Sequence, residues 1–579
     1  MRVYNIFVPS ILFAASVCAA QAQTPADNDT TLNRQIYLER NFDPTLQDAA
    51  KINALPVVRQ PEVKPASLQY EVQQPSLIFD SFPLGDTGSG SIRTDLNFNR
   101  HKGYLSFGGG NYANIHADAG YRVAGAKNDV FDILARHNST NGKIDYLEPL
   151  ANYTSEKAKY SNTLLLLRYQ HIFSASTLKL NGGYEHTGFN YYGKPLDTST
   201  PTNPACDQSV GVLSLGADLQ SAANDVFRYE FALGFDHFST DYNAVSSGNG
   251  GVSGNILNGK LHLAAPFQGN KLIGVRFGLL AQNFGNRETT LNGADFHSLT
   301  KINASAYWNI DGGNYNLTLG ASINYALAQK NKFLFAPDLH LAWQFVEKAA
   351  FYADIVGQID ENTYLQVLQE NRYFNPESRI ACSRTPLDAN AGFRSGVIEG
   401  LEFDISGGYK LTLDEHLYHP QTNLSDAHVS DVEYVNLQTS HIGGLLKTSL
   451  IPNTDLSVKL TGYFYKVSGD DYEGGSRTFK PWNLPSLTFD MNANVQPSEK
   501  LTLSAGYRLS AGRETYIRNY SDIHKMKNIN ELNIGGTYRF NDYFSACLQL
   551  NNILFQKYET WYGYTHQGFN AMLGVKLQF

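Results

Sequence analysis

The sequence predicts an all-β fold: a transmembrane, antiparallel, up-and-down β-barrel of about 22 strands, preceded by a short Pro-rich arm. Three observations predict it. The chain opens with an export-type segment. From about Lys102 to the last residue its side chains alternate apolar and polar with period two. The connections between these segments alternate short and long, the asymmetry expected of short periplasmic turns and longer external loops.

The opening residues read as a secretory signal, residues 1–22. Arg2 supplies the positive start, Ile11 to Val17 form a short apolar stretch, and Ala20-Gln21-Ala22 fits an A-x-A cleavage site. Val17 stands where a lipoprotein site before Cys18 prefers a small residue, which argues against lipidation. No later segment approaches ~18 uninterrupted apolar residues, so no spanning helix is expected. The composition fits strands and tight turns: 35 Tyr, 33 Phe and 49 Gly, with only 17% charged residues. A formal net charge of −8 argues against nucleic acid as a partner.

Residues 23–98 differ in character from the rest of the chain. Pro25, Pro44, Pro56, Pro61, Pro65, Pro75 and Pro83 interrupt them, and no apolar periodicity long enough for a core appears. They read as an extended periplasmic arm. The barrel is expected over residues 99–579. Tyr104-Leu105-Ser106-Phe107 opens the alternation. Leu178, Leu180 and Tyr184 alternate with Lys179, Asn181 and Glu185; Ile273, Val275, Phe277 and Leu279 alternate with Gly274, Arg276 and Gly278. Leu532, Ile534, Tyr538 and Phe540, and then Phe544, Ala546, Leu548 and Leu550, continue the pattern. Each segment reads as roughly ten residues, apolar towards lipid and polar towards a lumen.

Short links are expected at Ala124–Lys127, Phe173–Ser176, Ser221–Asn224, Asp311–Asn314, Pro452–Thr454, Pro497–Glu499 and Asn541–Asp542. Long polar links are expected at Asn138–Ser161, Tyr191–Gln208, Tyr242–Gly254, Gly285–His297, Asp360–Ala391, Thr412–Val432, Val467–Pro485 and Gly512–Asn528. Two links on the long side, near Asn111 and Asn331, are short. The last strand runs to the carboxy-terminus with Phe569, Ala571, Leu573, Val575, Leu577 and Phe579 on one face. Leu577 and Phe579 resemble the terminal tag read by barrel-assembly machinery. That machinery and outer-membrane lipid are the expected partners, and the cell outer membrane the expected location. A soluble propeller or solenoid would also give many short strands, but no fixed repeat is present and the loop asymmetry opposes it.

The stretch Asn552-Ile553-Leu554-Phe555-Gln556-Lys557-Tyr558-Glu559, with Trp561 and a restart at Gly568-Phe569 after it, resembles the last hairpin of TonB-dependent receptors. The resemblance extends as architecture from about Lys102 to Phe579, and implies a transport-related barrel for an unknown solute. The chain also departs from that family's plan. The resemblance implies a globular plug and a TonB box before the barrel, whereas residues 23–98 hold no compact αβ pattern and no Glu-Thr-x-Thr-Val-like box. The plan is similar to that of receptor-like proteins of Bacteroidota, a receptor-type barrel without its own plug. A separate plug, or a periplasmic or outer-membrane partner protein, is therefore a candidate. So is a second role, that of a non-transporting structural or scaffold component of an outer-membrane complex.

Candidate chemistry is sparse. Asp414, Glu415, His416, His419, Asp426, His428 and Asp431 offer divalent-metal ligands, but at no fixed spacing, so a solvated acidic loop is the expected reading and no metal is assigned. The same holds for Asp470, Asp471 and Glu473 as a calcium loop. Cys206 and Cys382 fall in expected external loops, which makes a disulfide between them possible on sidedness alone; Cys547 falls at an inward strand position. Tyr558, Trp561, Tyr562 and Tyr564 are expected in a membrane-interface girdle, with glycan stacking as the alternative. No G-x-S-x-G elbow, H-E-x-x-H or P-loop occurs, so neither an enzyme nor a cofactor is expected.

Overall fold

The structure is a computed structural model; it describes residues 101–579 other than 126–127, 151–152, 195–206, 223–226, 243–250, 286–296, 377, 421–428, 470–479 and 518–521. In chain order the strands are β1 (Gly103–Gly110), β2 (Ile115–Gly125), β3 (Asp129–Leu150), β4 (Tyr153–Ile172), β5 (Ser176–Asn190), β6 (Asp207–Ser221), β7 (Arg228–Tyr242), β8 (Ser253–Pro266) and β9 (Lys271–Phe284). Next come β10 (Leu299–Asp311), β11 (Tyr315–Leu327), β12 (Lys332–Val346), β13 (Ala349–Asp360), β14 (Ser383–Ser395), β15 (Leu401–Pro420), β16 (Ser430–Thr448) and β17 (Thr454–Ser468). The chain ends with β18 (Leu487–Ser498), β19 (Leu501–Ala511), β20 (Glu514–Ile517), β21 (Asp522–Lys525), β22 (Ile529–Arg539), β23 (Phe544–Asn551), β24 (Glu559–Trp561), β25 (Tyr564–Thr565) and β26 (Asn570–Gln578). Among the described residues one α-helix, α1 (Tyr364–Glu370), lies in the link after β13.

Each barrel strand pairs antiparallel with the next, and β26 pairs back onto β1, so a 22-stranded sheet closes on itself. The hairpins β20–β21 and β24–β25 stand outside it, in the links before β22 and β26. At the closing seam Gly103 and Phe579 exchange backbone hydrogen bonds of 2.8 and 2.9 Å. Closure removes the open edges that an exposed sheet would present in lipid. Both chain-terminal strand ends lie on one rim, the periplasmic rim of an outer-membrane barrel.

The alternation read from the sequence decides which face is which. Leu105 and Phe107, Leu180 and Tyr184, Ile273 and Phe277, Ile534 and Tyr538, and Leu573, Leu577 and Phe579 all point outward into the exposed belt. Tyr104, Ser106, Cys547, Met572 and Lys576 between them are buried on the inner side. On β12 to β15, Trp343, Phe345, Phe351, Phe393 and Phe403 form a run of ring contacts, centroids 5.0 to 6.2 Å apart, on the outer face near the periplasmic rim. Aromatic side chains prefer the membrane–water interface, and this run marks it.

Two sequence expectations are corrected. The barrel strands are not uniformly about ten residues; they run from 8 in β1 to 22 in β3. The segments Asn138–Ser161 and Thr412–Val432 are not loops over most of their length. Asn138 to Asp145 pair with Asn162 to Ser155 as β3 and β4 continue past the membrane. Glu415 to Pro420 likewise pair with Val435 to Ser430, beyond a register shift at which Asp414 takes a φ of 57°. Polar residues pair there as readily as apolar ones, because the backbone makes the ladder and nothing lipidic is touched.

Candidate functional site: a cap over the lumen

The described part of the lumenal wall is polar and largely neutralised by itself. Arg276 on β9 donates to Asp338 on β12 at 2.8 Å, crossing the concave side of β10 and β11. Asp338 also meets His340, which contacts Asp354 on β13 at 2.6 Å. Arg276 sits 4.2 Å from the Tyr307 ring centroid, and the Tyr307 hydroxyl meets His262 at 2.7 Å. Arg122–Asp132, Arg136–Asp118, Arg394–Asp404 and Arg508–Asp490 repeat the theme around the wall. Such pairs are weak where water reaches them.

The apolar core sits at the external mouth. The link after β13 enters through Asn362 (φ 48°) into α1, seven residues long. Thr363 caps the helix: its hydroxyl accepts from the Gln366 N–H while the Gln366 side chain accepts from the Thr363 N–H. The cap aims Tyr364, Leu365, Val367 and Leu368 into an aromatic cluster. Tyr364 stacks on Phe238 of β7 with centroids 5.5 Å apart and meets Phe284 and Phe374 edge-on. Tyr564 of β25 stacks on Tyr373 at 3.7 Å and contacts Tyr192. Ile144 and Tyr160 of the extended β3–β4 hairpin and Tyr418 of the extended β15 complete the layer. Residues of β3 to β9, α1, β15 and the β24–β25 hairpin thus meet in one layer at the opening, in which rings such as Tyr364, Phe374, Tyr191 and Tyr564 are fully buried. Burying each such ring contributes on the order of 2 kcal/mol before chain entropy.

Polar fasteners fix the layer. The His416 ring nitrogen Nε2 and the Tyr418 hydroxyl both meet Glu370 at the end of α1, at 2.6 and 2.8 Å. Burial opposes a charged His416, but the hydrogen bond and charge of Glu370, with Glu415 and Asp360, outweigh it and push the imidazole up to about 9. Arg513, almost fully buried, donates to the carbonyls of Glu559, Thr560 and Lys527 at 2.9 to 3.1 Å. It clamps the backbone of the β24–β25 hairpin that carries Tyr564. Beside it the buried Glu559 carboxyl is pushed up to about 7, chiefly by burial.

Several of the residues singled out from the sequence lie in this cap. Tyr558, Tyr562 and Tyr564 are buried within it, so the expected interface girdle is corrected: the chain between β23 and β26 folds inward over the mouth instead of facing lipid. Trp561 packs on Tyr418. Asp414 pairs with Lys332, His416 with Glu370, and Asp431 accepts from Asn375, so these members of the expected solvated loop are fasteners. His419 packs on Tyr516, and Asp426 and His428 lie outside the described residues. So do Asp470, Asp471 and Glu473. Cys382 is buried among Leu299, Ala326, Leu334, Ala336 and Ile359, with burial pushing its thiol up; Cys206 lies outside the described residues. Sequence reasoning missed α1 and the aromatic doublets Tyr191-Tyr192 and Tyr373-Phe374. The Thr363-x-x-Gln366 capping box before Tyr364-Leu365 was the available signal.

No family model matches the chain, and no curated protein is similar to it in sequence. Solved structures are similar in fold. A variant of the ferric enterobactin receptor of Pseudomonas aeruginosa superposes with a TM-score of 0.62 at 12% identity, covering 82% of this chain and 80% of that one. The ferric-catecholate import receptor Fiu of E. coli gives 0.60 at 11% identity, over 83% and 82% of the two chains. The siderophore receptor PirA of Acinetobacter baumannii gives 0.61 at 9%, over 82% and 80%. At these identities the likeness is one of fold. In strand number and closure the architecture is a 22-strand antiparallel β-barrel similar in fold to these receptors.

Proposed function

We propose that the protein is a transport-related outer-membrane barrel whose external mouth is closed by its own loops and opens by displacement of the aromatic cap. The observation that carries this reading is the position of the core: an apolar layer lies at the mouth while the wall beneath it is polar. A wide polar lumen conducts unless something closes it. The matched proteins are named for ferric enterobactin, ferric catecholates and copper, so a metal or metal chelate is the first class of solute to test. The test is single-channel conductance of the full-length protein in planar bilayers. The wild type should show no steady large conductance, and Tyr364→Ala combined with Tyr564→Ala should raise it. A steady open pore in the wild type overturns the reading.

The same reading assigns residues 1–22 to a signal, 23–98 to a periplasmic arm, and Leu577 and Phe579 to the assembly signal. It also admits a Cys206–Cys382 bridge between the links after β5 and β13; alkylation of both thiols without reductant removes it. A second reading, a structural component of an outer-membrane assembly, is supported by Val397, Ile398, Leu450 and Ile451. These stand well exposed on adjacent turns at the periplasmic rim, joined by the Ser449 N–H to Gly400 carbonyl bond. Co-purification from mild detergent tests it, and a lone, monodisperse barrel counts against it.

A further inference from the structure

The lumenal wall is open to water on one side of the barrel and covered on the other. On the far side the side chains of Arg276 and Arg394 are 41% and 70% exposed. On the seam side Lys576 of β26 is 9% exposed and Ser106 of β1 only 1%. These two pair with one another, and Ser106 pairs in turn with the buried Asp118 of β2. All three face inward, because Leu105, Phe107, Val575 and Leu577 beside them face outward. On the next rung Gly574 stands against Gly108, where no side chain rises from the wall, and both are buried. Ser545 and Cys547 of β23 are covered as well. Beyond Asp118 the cover ends, for the Arg136 side chain on β3 is again 53% exposed. The covered band thus runs from β23 to β2, roughly 14 Å, about the breadth of one extended chain with its side chains.

The described elements do not account for that cover. β1 packs on its ladder neighbours β2 and β26. The cap stays higher: Gln567 meets Asn114 and Thr140, and Asn114 lies roughly 14 Å above Asp118 along β2, at about 3.4 Å per residue. Lys576 can fold over Ser106, but a lysine buried to this degree is ordinarily matched to an acid. Asp118 already accepts from Arg136 and from the Tyr104 hydroxyl. The Ser106 Oγ has no hydrogen-bond partner among the described residues.

The chain that leads into β1 reaches the rim beside this band. The Lys102 carbonyl accepts from the Arg122 N–H at 2.7 Å, and the His101 ring meets Tyr543, in the turn between β22 and β23, edge-on at 5.5 Å. A chain that doubles back at His101 and runs antiparallel to β1 brings Leu96 to the height of Ser106. The sequence there has period two, with Ile92, Thr94, Leu96 and Phe98 alternating with Arg93, Asp95 and Asn97. Asp95 supplies an acid at the height of Lys576.

We propose that residues 92–98 enter the lumen from the periplasm as an extended segment and dock on the inner wall from β23 to β2, with Asp95 against Lys576. The segment reserves this wall and leaves passage to the opposite one, where Arg276 and Arg394 stand in water. The proposal goes beyond the closure of the mouth and does not depend on it.

The test uses the full-length protein in nanodiscs, which leave both faces open, on a Cys206→Ser/Cys382→Ser/Cys547→Ser background. Ser106→Cys should react with a charged maleimide at least tenfold more slowly than Arg394→Cys, and deletion of residues 92–98 should abolish the difference. A short bismaleimide should join Asn97→Cys to Ser106→Cys, read as a linked peptide by mass spectrometry, and should not join Asn97→Cys to Arg394→Cys. Asp95→Lys should speed labelling at position 106, and Lys576→Asp added to it should slow labelling again. Heat-modifiable migration on gels shows that each variant is folded. Equal labelling at positions 106 and 394 overturns the proposal, as does protection that survives the deletion or a missing link between positions 97 and 106. Tyr364→Ala/Tyr564→Ala separates this inference from the closure of the mouth: protection at position 106 should persist in it, and its loss would assign the cover to the cap and overturn the proposal.

Discussion

Glu559 and Arg513 show how much of the cap rests on single buried groups. Arg513 spends three donors on backbone carbonyls and none on the Glu559 carboxylate, whose Oε1 has no hydrogen-bond partner among the described residues. Burial therefore holds that carboxyl up to about 7, against an ordinary value of 4.5. The folded site binds its proton more tightly than the unfolded chain, so the associated stability is full below about 4.5 and is lost as pH rises through about 7. His416 acts in the same sense at higher pH: its stabilisation is full below about 6.5 and is lost as pH rises through about 9. The cap should be tightest in acid. Glu559→Gln mimics the protonated carboxyl, so the difference in thermal midpoint between wild type and variant should shift between about pH 4.5 and 7 and be flat outside that range. A pH-independent difference would remove the role given to Glu559. Neither group was legible in the sequence, because nothing in Tyr558-Glu559-Thr560 or Gly512-Arg513-Glu514 distinguishes a buried charge from a solvated one. Burial is a property of the loops that arrive from elsewhere.

Elements were legible where lipid imposes a pattern and illegible where it does not. On β9 the alternation of Ile273, Val275, Phe277 and Leu279 with Gly274, Arg276 and Gly278 marks the strand, because one face must be apolar. Above the membrane the same hairpins continue with Asn141, Lys143, Lys157 and Lys159, where no face needs to be apolar, and they read as loop. Helix α1 was missed for a related reason. At seven residues it is too short for a periodic stripe, and it is held by its capping box and its neighbours. Thr363→Ala should cost about 1 kcal/mol of local stability by removing the cap. Hydrogen exchange should accelerate in Tyr364–Glu370 and in the partner ring segment Tyr373–Phe374, with the strand amides of β13 unchanged. Exchange that stays as slow as wild type in α1 would mean that packing alone holds it. Gly357 gives a second point at this scale. It sits at the register shift between Val356 and Gln358, and a Cβ there would lie 2.7 Å from both the Ala336 Cβ and the Pro386 carbonyl oxygen. The bulge needs that close approach, which a lone Gly in an alternating strand hints at but cannot locate.

The described strands close into a ring, and Phe579 is part of the seam. Phe579 exchanges hydrogen bonds with Gly103 across the first and last strands, and its ring stacks on Tyr121 of β2 with centroids 6.2 Å apart. A side-chain position at Gly103 would be occupied by that ring, 2.7 Å from an ideal Cβ. The terminal aromatic therefore has a place in the finished barrel as well as its expected part in assembly, and the two contributions separate experimentally. Deleting Phe579 removes both a seam hydrogen-bond pair and the terminal aromatic. Phe579→Tyr keeps the backbone and a ring, and Phe579→Ala keeps only the backbone. If the ring mainly stabilises the closed seam, the alanine protein should reach the membrane in normal amount yet lose its heat-modifiable gel shift at a lower temperature. If the ring mainly directs assembly, the alanine protein should be depleted from the outer membrane and degraded, while the fraction that does insert melts like wild type. The second outcome is expected, because the seam is held along its length by the register of Tyr104 to Gly110 against Gln578 to Met572, and one terminal ring adds little to so many backbone bonds. Depletion of the tyrosine protein to the level of the alanine one would show that assembly reads more than an aromatic end. Normal insertion of the alanine protein would withdraw Phe579 from the assembly signal.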